Sequence, residues 1–262
     1  MNFCSLSSGS SGNCYYLGNG EQGILIDAGI SASSVRKFLR DLDIPMQSIM
    51  GILVSHNHSD HIRGLSVLSR RNSLPVFTTG RIWDSILSAD RKMTVDRVRK
   101  IDLQQKFSLA GFSIEAFPVS HDAPETIGFH IKAGEKKVTI ATDLGHICQT
   151  SADYLRAANL LVIEANYDEQ MLKTGKYPWF LKSRIMSDHG HLGNHQTAAF
   201  LSENTGAHLS LICLAHLSRN NNTPELALRA VTEAFLQKGI EMNGTTRIVA
   251  LDRHVPTGML SF

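Results

Sequence analysis

Six consecutive residues, His56-Asn57-His58-Ser59-Asp60-His61, place three imidazoles and a carboxylate in one short segment. Such groups are expensive to bury without partners. Imidazole nitrogen and carboxylate oxygen are ligands for borderline divalent cations such as zinc, manganese and iron. The segment follows the apolar run Gly51-Ile52-Leu53-Val54-Ser55 and precedes a short helical pattern over residues 62–69. It therefore sits where a strand leaves the core. His56 and His58 project to the same side, and Asp60 and His61 turn toward a second point. That geometry suits two adjacent metal ions, whereas a histidine-rich surface turn without ligands is the bland alternative. Three further candidates end apolar runs: His121 after 112–119, Asp143 after 138–142 and His216 after 211–215. Singly, each is also an ordinary cap or turn residue. Together with the first segment they complete two coordination shells.

Positioning such residues requires several strands ending on one edge. Apolar runs rich in β-branched and aromatic residues predict strands over 13–17, 23–27, 50–55, 76–78, 112–119, 126–132, 137–142, 160–164, 209–215 and 247–251. Val35, Phe38, Leu39 and Leu42 form one face of a helix over 31–42. Thr223, Pro224 and Glu225 open a helix that closes at Gly239. Helices over 82–89 and 195–204 complete the pattern. No sequence repeat or linker divides the 262 residues. Strands in meander order followed by alternating helices suggest two sheets with helices outside, in one domain over residues 1–262.

Composition narrows the function. The formal net charge is +2, which excludes a histone-like coat for nucleic acid. The four cysteines, Cys4, Cys14, Cys148 and Cys213, form no C-x-x-C pair. They read as reduced thiols of a cytoplasmic protein. Cys4 or Cys14 as a ligand is disfavoured, because soft sites cluster their cysteines. The first residues lack the basic and apolar blocks of a secretory signal, and no window has the apolar length of a membrane helix. No membrane association is expected, and no protein partner can be inferred.

Two segments suggest substrate contact. Ser7 to Asn13 is a Gly/Ser turn whose backbone N–H groups, with Ser10 and Asn13, could face an anion. A plain surface turn would use the same residues. The stretch 171–185 carries Lys173, Lys176, Lys182 and Arg184 but no acidic residue, with Tyr177, Trp179 and Phe180 interleaved. Basic groups bind phosphates and aromatic rings stack on unpaired bases. The competing reading packs the rings on the core and solvates the lysines. Arg219 is a further phosphate candidate.

The order H-x-H-x-D-H, then His121, Asp143 and His216, resembles the metallo-β-lactamase superfamily over nearly the whole chain. The resemblance implies an α+β fold, a four-layer αβ/βα sandwich with metals at one edge. It implies that His56, His58 and His121 bind one ion, that Asp60, His61 and His216 bind the other, and that Asp143 bridges them. Asp27 matches an early aspartate that orients the histidine loop. The segments at Glu164, at Gly190-His191 and at His216 resemble the RNase Z-like branch. There, the glutamate holds a histidine that protonates the leaving oxygen. Carried over, Glu164 holds His191, with Asp60 orienting a bridging hydroxide. A polar residue at a helix start is the alternative reading of His191.

Only 21 residues separate His121 from Asp143, too few for the transfer-RNA-gripping arm of RNase Z. The 72 residues between Asp143 and His216 exclude the extra domain of the β-CASP nucleases. The Ser-Gly opening, Thr142 to His146, Glu164 to Asp168 (with Asn166) and Gly190 to Asn194 resemble the bacterial YycJ/WalJ family. That resemblance implies a 5′-to-3′ DNA exonuclease using two divalent ions, with DNA as partner. In it His146 lies either close to the metals or at the surface. Small or cyclic phosphodiesters, or RNA, are the alternative substrates on the same fold.

Overall fold

The computed structural model describes residues 1–89, 95–240 and 246–262. The chain opens with a meander, β1 (Asn2–Ser7), β2 (Cys14–Asn19) and β3 (Gln22–Ile26). Parallel strands β4 (Ile49–Leu53), β5 (Val76–Thr78) and β6 (Val98–Lys100) then extend this sheet in the order β1-β2-β3-β4-β5-β6. Helices α1 (Ala32–Asp41), α2 (Ser59–Ile62), α3 (Leu65–Asn72) and α4 (Gly80–Ala89) connect them. The pattern then runs a second time. Strands β7 (Lys106–Leu109), β8 (Phe112–Val119), β9 (Thr126–Ala133) and β10 (Lys136–Ala141) form a meander, and β11 (Leu160–Glu164), β12 (Leu211–Ala215) and β13 (Arg247–Ala250) add in parallel. Their connections carry α5 (Gln149–Arg156), α6 (Glu169–Thr174), α7 (Trp179–Ile185), α8 (Asn194–Asn204) and α9 (Pro224–Gln237). The chain thus has no sequence repeat but doubles its topology.

The second sheet shows how the layers form. β11 and β12 are buried along their whole length, as parallel strands covered on both faces must be. Leu160, Val162, Leu211 and Cys213 join the core shared with Leu6, Leu25 and Leu53 of the first sheet. Their neighbours Leu161, Ile163, Ile212 and Leu214 pack instead with Leu201 of α8 and with Val231 and Phe235 of α9. Val35 and Leu39 of α1, Leu68 of α3 and Trp83 of α4 cover the first sheet. The result is the four-layer α+β sandwich of the metallo-β-lactamase type.

Several expected elements shift. The helical pattern at 62–69 becomes two helices, α2 and α3, joined at Gly64, where a Cβ would lie 2.2 Å from the Ile30 carbonyl oxygen. The strand expected over 209–215 starts at Leu211, because the Leu209 N–H turns back to Gly206. The strands β1, β6 and β7 and the helices α5, α6 and α7 add to those read from periodicity. Ser31 and Thr223 do cap α1 and α9, accepting from the N–H of Ser34 and Leu226.

Candidate metal centre

Six strands deliver the site at their C-terminal ends: β3 brings Asp27, β4 the 55–61 loop, β8 His121, β10 Asp143, β11 Glu164 and β12 His216. Asp27, Asp143 and His216 hold left-handed backbone, with φ of 57°, 55° and 57°. This conformation costs an L-residue on the order of 1 kcal/mol or more. Three such residues, one ending a strand of the first sheet and two ending strands of the second, mark a place where the fold accepts strain to aim side chains.

The side chains gather into overlapping clusters. His56, His58 and His121 form one, Asp60, His61 and His216 another. Asp143 joins His56 and His61 in a third, and Glu164, His191 and His216 in a fourth. Within each cluster the ligating atoms lie within 4.8 Å of one another.

One nitrogen of each buried imidazole is held from behind, so the other points inward. His61 Nδ1 donates to Asp27 Oδ2 at 2.7 Å, and His216 Nδ1 to Glu164 Oε1 at 2.7 Å. His121 Nδ1 donates to the Gly190 carbonyl at 2.9 Å. Ser55 Oγ donates to Asp27 Oδ2 and lies 3.1 Å from His56 Nδ1. The inward atoms His56 Nε2, His216 Nε2 and Asp143 Oδ2 are buried and have no hydrogen-bond partner. His61 Nε2 and Asp143 Oδ2 face each other at 3.0 Å. With Nδ1 donating to Asp27, this contact is favourable when Nε2 is protonated or when both atoms bind a cation. Burial opposes protonation of His61 and His216. Asp143 nonetheless draws His61 well above its ordinary pKa, helped by Asp27, and pushes His216 up to about 10, helped by Asp60 and Glu164. Divalent cations satisfy the same demand with better geometry, so the donor set fits a metal site.

His191 stands beside this cluster. Its Nδ1 lies 2.9 Å from Glu164 Oε1, and its ring centroid 5.0 and 5.3 Å from those of His121 and His216. It is only partly buried, so its free nitrogen can meet substrate.

Several residues expected to touch substrate are turned inward. Asn13 is fully buried. It braces the Gly9 turn and places Nδ2 3.0 Å from His61 Nε2, while its backbone N–H binds the Asp60 carbonyl. The turn's Gly9 and Gly12 N–H groups are used internally, leaving Ser10 exposed at its tip. Buried Asn166 donates to the His216 carbonyl. Lys182 is buried and donates to the Lys173 carbonyl, and Lys173 pairs with Glu169. Arg184 binds Asp122, next to His121. His146 is exposed and bonds the Asp188 carbonyl, outside every ligand cluster. Lys176, Trp179 and Arg219 remain exposed near the rim segments.

Other supports escaped the sequence. Ser8 Oγ accepts from the His216 N–H, and Arg253 donates to the carbonyls of Leu217 and Ser218. Gly29 allows the Asp60 backbone to approach, since a Cβ there would overlap the Asp60 oxygen. These contacts span up to 208 residues of sequence and leave no local signature.

Known proteins share the family and the fold. The sequence profile of the β-lactamase superfamily domain matches residues 22–212. Exodeoxyribonuclease YycJ of Bacillus anthracis is 34% identical over 257 residues, covering 98% of this chain and 97% of that protein. Exodeoxyribonuclease WalJ of Streptococcus pneumoniae is 34% identical over 234 residues, covering 88% and 87%. The metallo-β-lactamase fold protein YhfI from Bacillus subtilis superposes with a TM-score of 0.72 at 14% identity, covering 98% and 99% of the two chains. With its ligand clusters on the sheet edge and a family match over most of its length, the chain belongs to the metallo-β-lactamase superfamily as a metal-dependent hydrolase.

Proposed function

We propose that the protein is a DNA exonuclease of the YycJ/WalJ type, working 5′ to 3′ in the cytoplasm with two divalent ions, zinc first among the candidates. The observation that carries a phosphodiester reading is the Glu164–His191 pair, set directly against the ligand clusters. A leaving alkoxide of DNA needs a proton, and a carboxylate-held imidazole beside the reacting centre is suited to give it. The names and near-complete coverage of the two relatives support DNA as the substrate.

In this reading His56, His58 and His121 would hold one ion and Asp60, His61 and His216 the other, with Asp143 available to both sets. Such ions supply an activated water and neutralise charge growing on phosphorus. Asp27 and Ser55 fix the inward nitrogens. Asp60 also orients the attacking water. Glu164 keeps the His191 ring in place, and His191 protonates the departing oxygen.

The test is digestion of end-labelled DNA and RNA by purified protein with a panel of zinc, manganese and iron. Metal-dependent shortening of DNA from the 5′ end, lost in His58→Ala and Asp143→Ala, is expected. Protein that cleaves only a small chromogenic or cyclic diester and spares both polymers defeats the nuclease reading. No helix among the described residues is long and apolar enough to cross a membrane.

A further inference from the structure

His216 aims its ring from a left-handed turn, and that turn must be held. Asn166 donates to the His216 carbonyl at 2.8 Å, and its own carbonyl accepts from the Ser218 N–H. Two segments distant in sequence hold the rest. The His216 N–H donates to Ser8 Oγ at 2.9 Å. Arg253 donates from Nε to the Leu217 carbonyl at 3.1 Å and from Nη2 to the Ser218 carbonyl at 2.8 Å. Arg253 also carries the segment that supplies Ser8. Ser7 Oγ lies 2.6 Å from the Arg253 carbonyl oxygen and 2.7 Å from that of Gly12, and the Ser8 N–H donates to the Asp252 carbonyl. A Cβ on Gly9 would lie 2.9 Å from Arg253 Cγ, so the turn rests directly on this side chain. From there it reaches two more ligands. Asn13 Nδ2 is 3.0 Å from His61 Nε2 and 3.4 Å from Asp60 Oδ2, and its backbone N–H donates to the Asp60 carbonyl. The Tyr15 hydroxyl joins the two halves, 2.9 Å from Ser8 Oγ and 3.4 Å from Asn13 Oδ1. Ser8, Asn13 and Tyr15 are fully buried.

We propose that Arg253 is a positioning residue for one of the two ions: with the turn from Ser7 to Asn13 it braces Asp60, His61 and His216 and leaves the other ligand set alone; this rests on the two-ion reading above. Asp60, His61 and His216 form one ligand cluster, and the brace touches all three. His56, His58 and His121 form the other. Their hydrogen bonds among the described residues go to Ser55, to the Gly190 carbonyl and to each other, and none goes to the turn or to Arg253. The rigid fork of a guanidinium fixes two successive carbonyls at once, which a single ammonium does not. Partners behind the ligands set metal affinity by fixing ligand orientation. The two ligand sets therefore answer to different parts of the chain, and the braced set can be weakened by itself.

Bound zinc counted by competition with a chromogenic chelator, without substrate, tests this. The wild type should hold two ions. Arg253→Ala should hold one as before and bind the other about ten- to hundredfold more weakly. Arg253→Lys, which can still reach one carbonyl, should fall between them. Ser8→Ala leaves the Arg253 fork in place but removes the acceptor of the His216 N–H. It should show the same selective loss, and it answers the question if Arg253→Ala does not fold. Second-site backgrounds assign the weakened ion. In His58→Ala, either change should remove the remaining tight ion; in His216→Ala, neither should weaken binding further. Equal weakening of both ions, or wild-type affinities in both Arg253→Ala and Ser8→Ala, overturns the brace. So does a further loss in the His216→Ala background. A wild type that binds fewer than two ions defeats the two-ion reading itself, whatever the variants do.

Discussion

Glu164 Oε1 lies 2.9 Å from Nδ1 of His191, and the same oxygen is 2.7 Å from Nδ1 of His216. Its second oxygen accepts from the backbone N–H groups of Leu144 and Leu192. Burial works against charge on this carboxyl, yet His191 and His216 hold its pKa below the ordinary value. One carboxylate thus serves a proposed proton donor and a proposed metal ligand together. His191→Ala should lower kcat on DNA about 10²- to 10⁴-fold, the usual range for a lost general acid. It should spare bis(4-nitrophenyl) phosphate, whose nitrophenolate departs without a proton. Glu164→Gln should harm both substrates, since it also loosens His216. Equal losses on both substrates in His191→Ala would remove His191 from the leaving-group step.

Asp27 acts from behind the metal ligands. Oδ1 accepts from the Ser55 N–H, and Oδ2 from Ser55 Oγ and His61 Nδ1. Asn tolerates the left-handed backbone that Asp27 adopts, so Asp27→Asn isolates the lost charge and acceptor. Metal affinity should fall about 10- to 100-fold. Competition of the variant and wild type with a chromogenic chelator, read as bound metal, checks this. An unchanged affinity would reduce Asp27 to a structural role in the loop.

The inward atoms of His56, His216 and Asp143 lack partners, so cations should stabilise the fold as well as the reaction. A ligand at 100 times its Kd adds about 2.7 kcal/mol. Thermal melts with excess zinc or manganese should therefore rise by several degrees over melts in chelator. His58→Ala should shrink the rise, and Asp143→Ala, which touches both ligand sets, should shrink it most. A melting temperature blind to metal would contradict the fit of this donor set.

The site was legible where chemistry and strand ends coincide. His56 to His61, His121, Asp143 and His216 each follow an apolar run, and the fold brings them to one edge. The substrate contacts were less legible, because a polar residue in a loop has the same spelling whether it faces outward or inward. Asn13 and Lys182 read as ligands for an anion, and both are buried supports. The doubled topology stayed hidden for a different reason. β6 and β7 are short, partly exposed edge strands with weak patterns. β1 carries Ser5 and Ser7, which look like loop residues. Ser7 is buried because its hydroxyl reaches the carbonyls of Gly12 and Arg253.

Away from the metals, His130 gives the fold an acid limit. It is 8% exposed on β9, and its Nδ1 donates to Thr139 Oγ1 at 2.8 Å. Burial, with help from Lys137, Lys132 and Lys106 against the pull of Glu115, pushes its pKa down to about 4. An unfolded histidine titrates near 6.5. Between those values the unfolded chain holds a proton that the native protein lacks, so stability falls as pH drops from about 6.5 toward 4. The lost share is on the order of 3 kcal/mol when both steps are complete. His130→Asn can still donate to Thr139 but cannot titrate. It should be less stable at neutral pH, yet lose less than the wild type on acidification. Chemical denaturation at pH 7.5 and pH 5, in chelator so that metal release does not intervene, measures the two slopes. Parallel losses in both proteins would place the acid limit elsewhere.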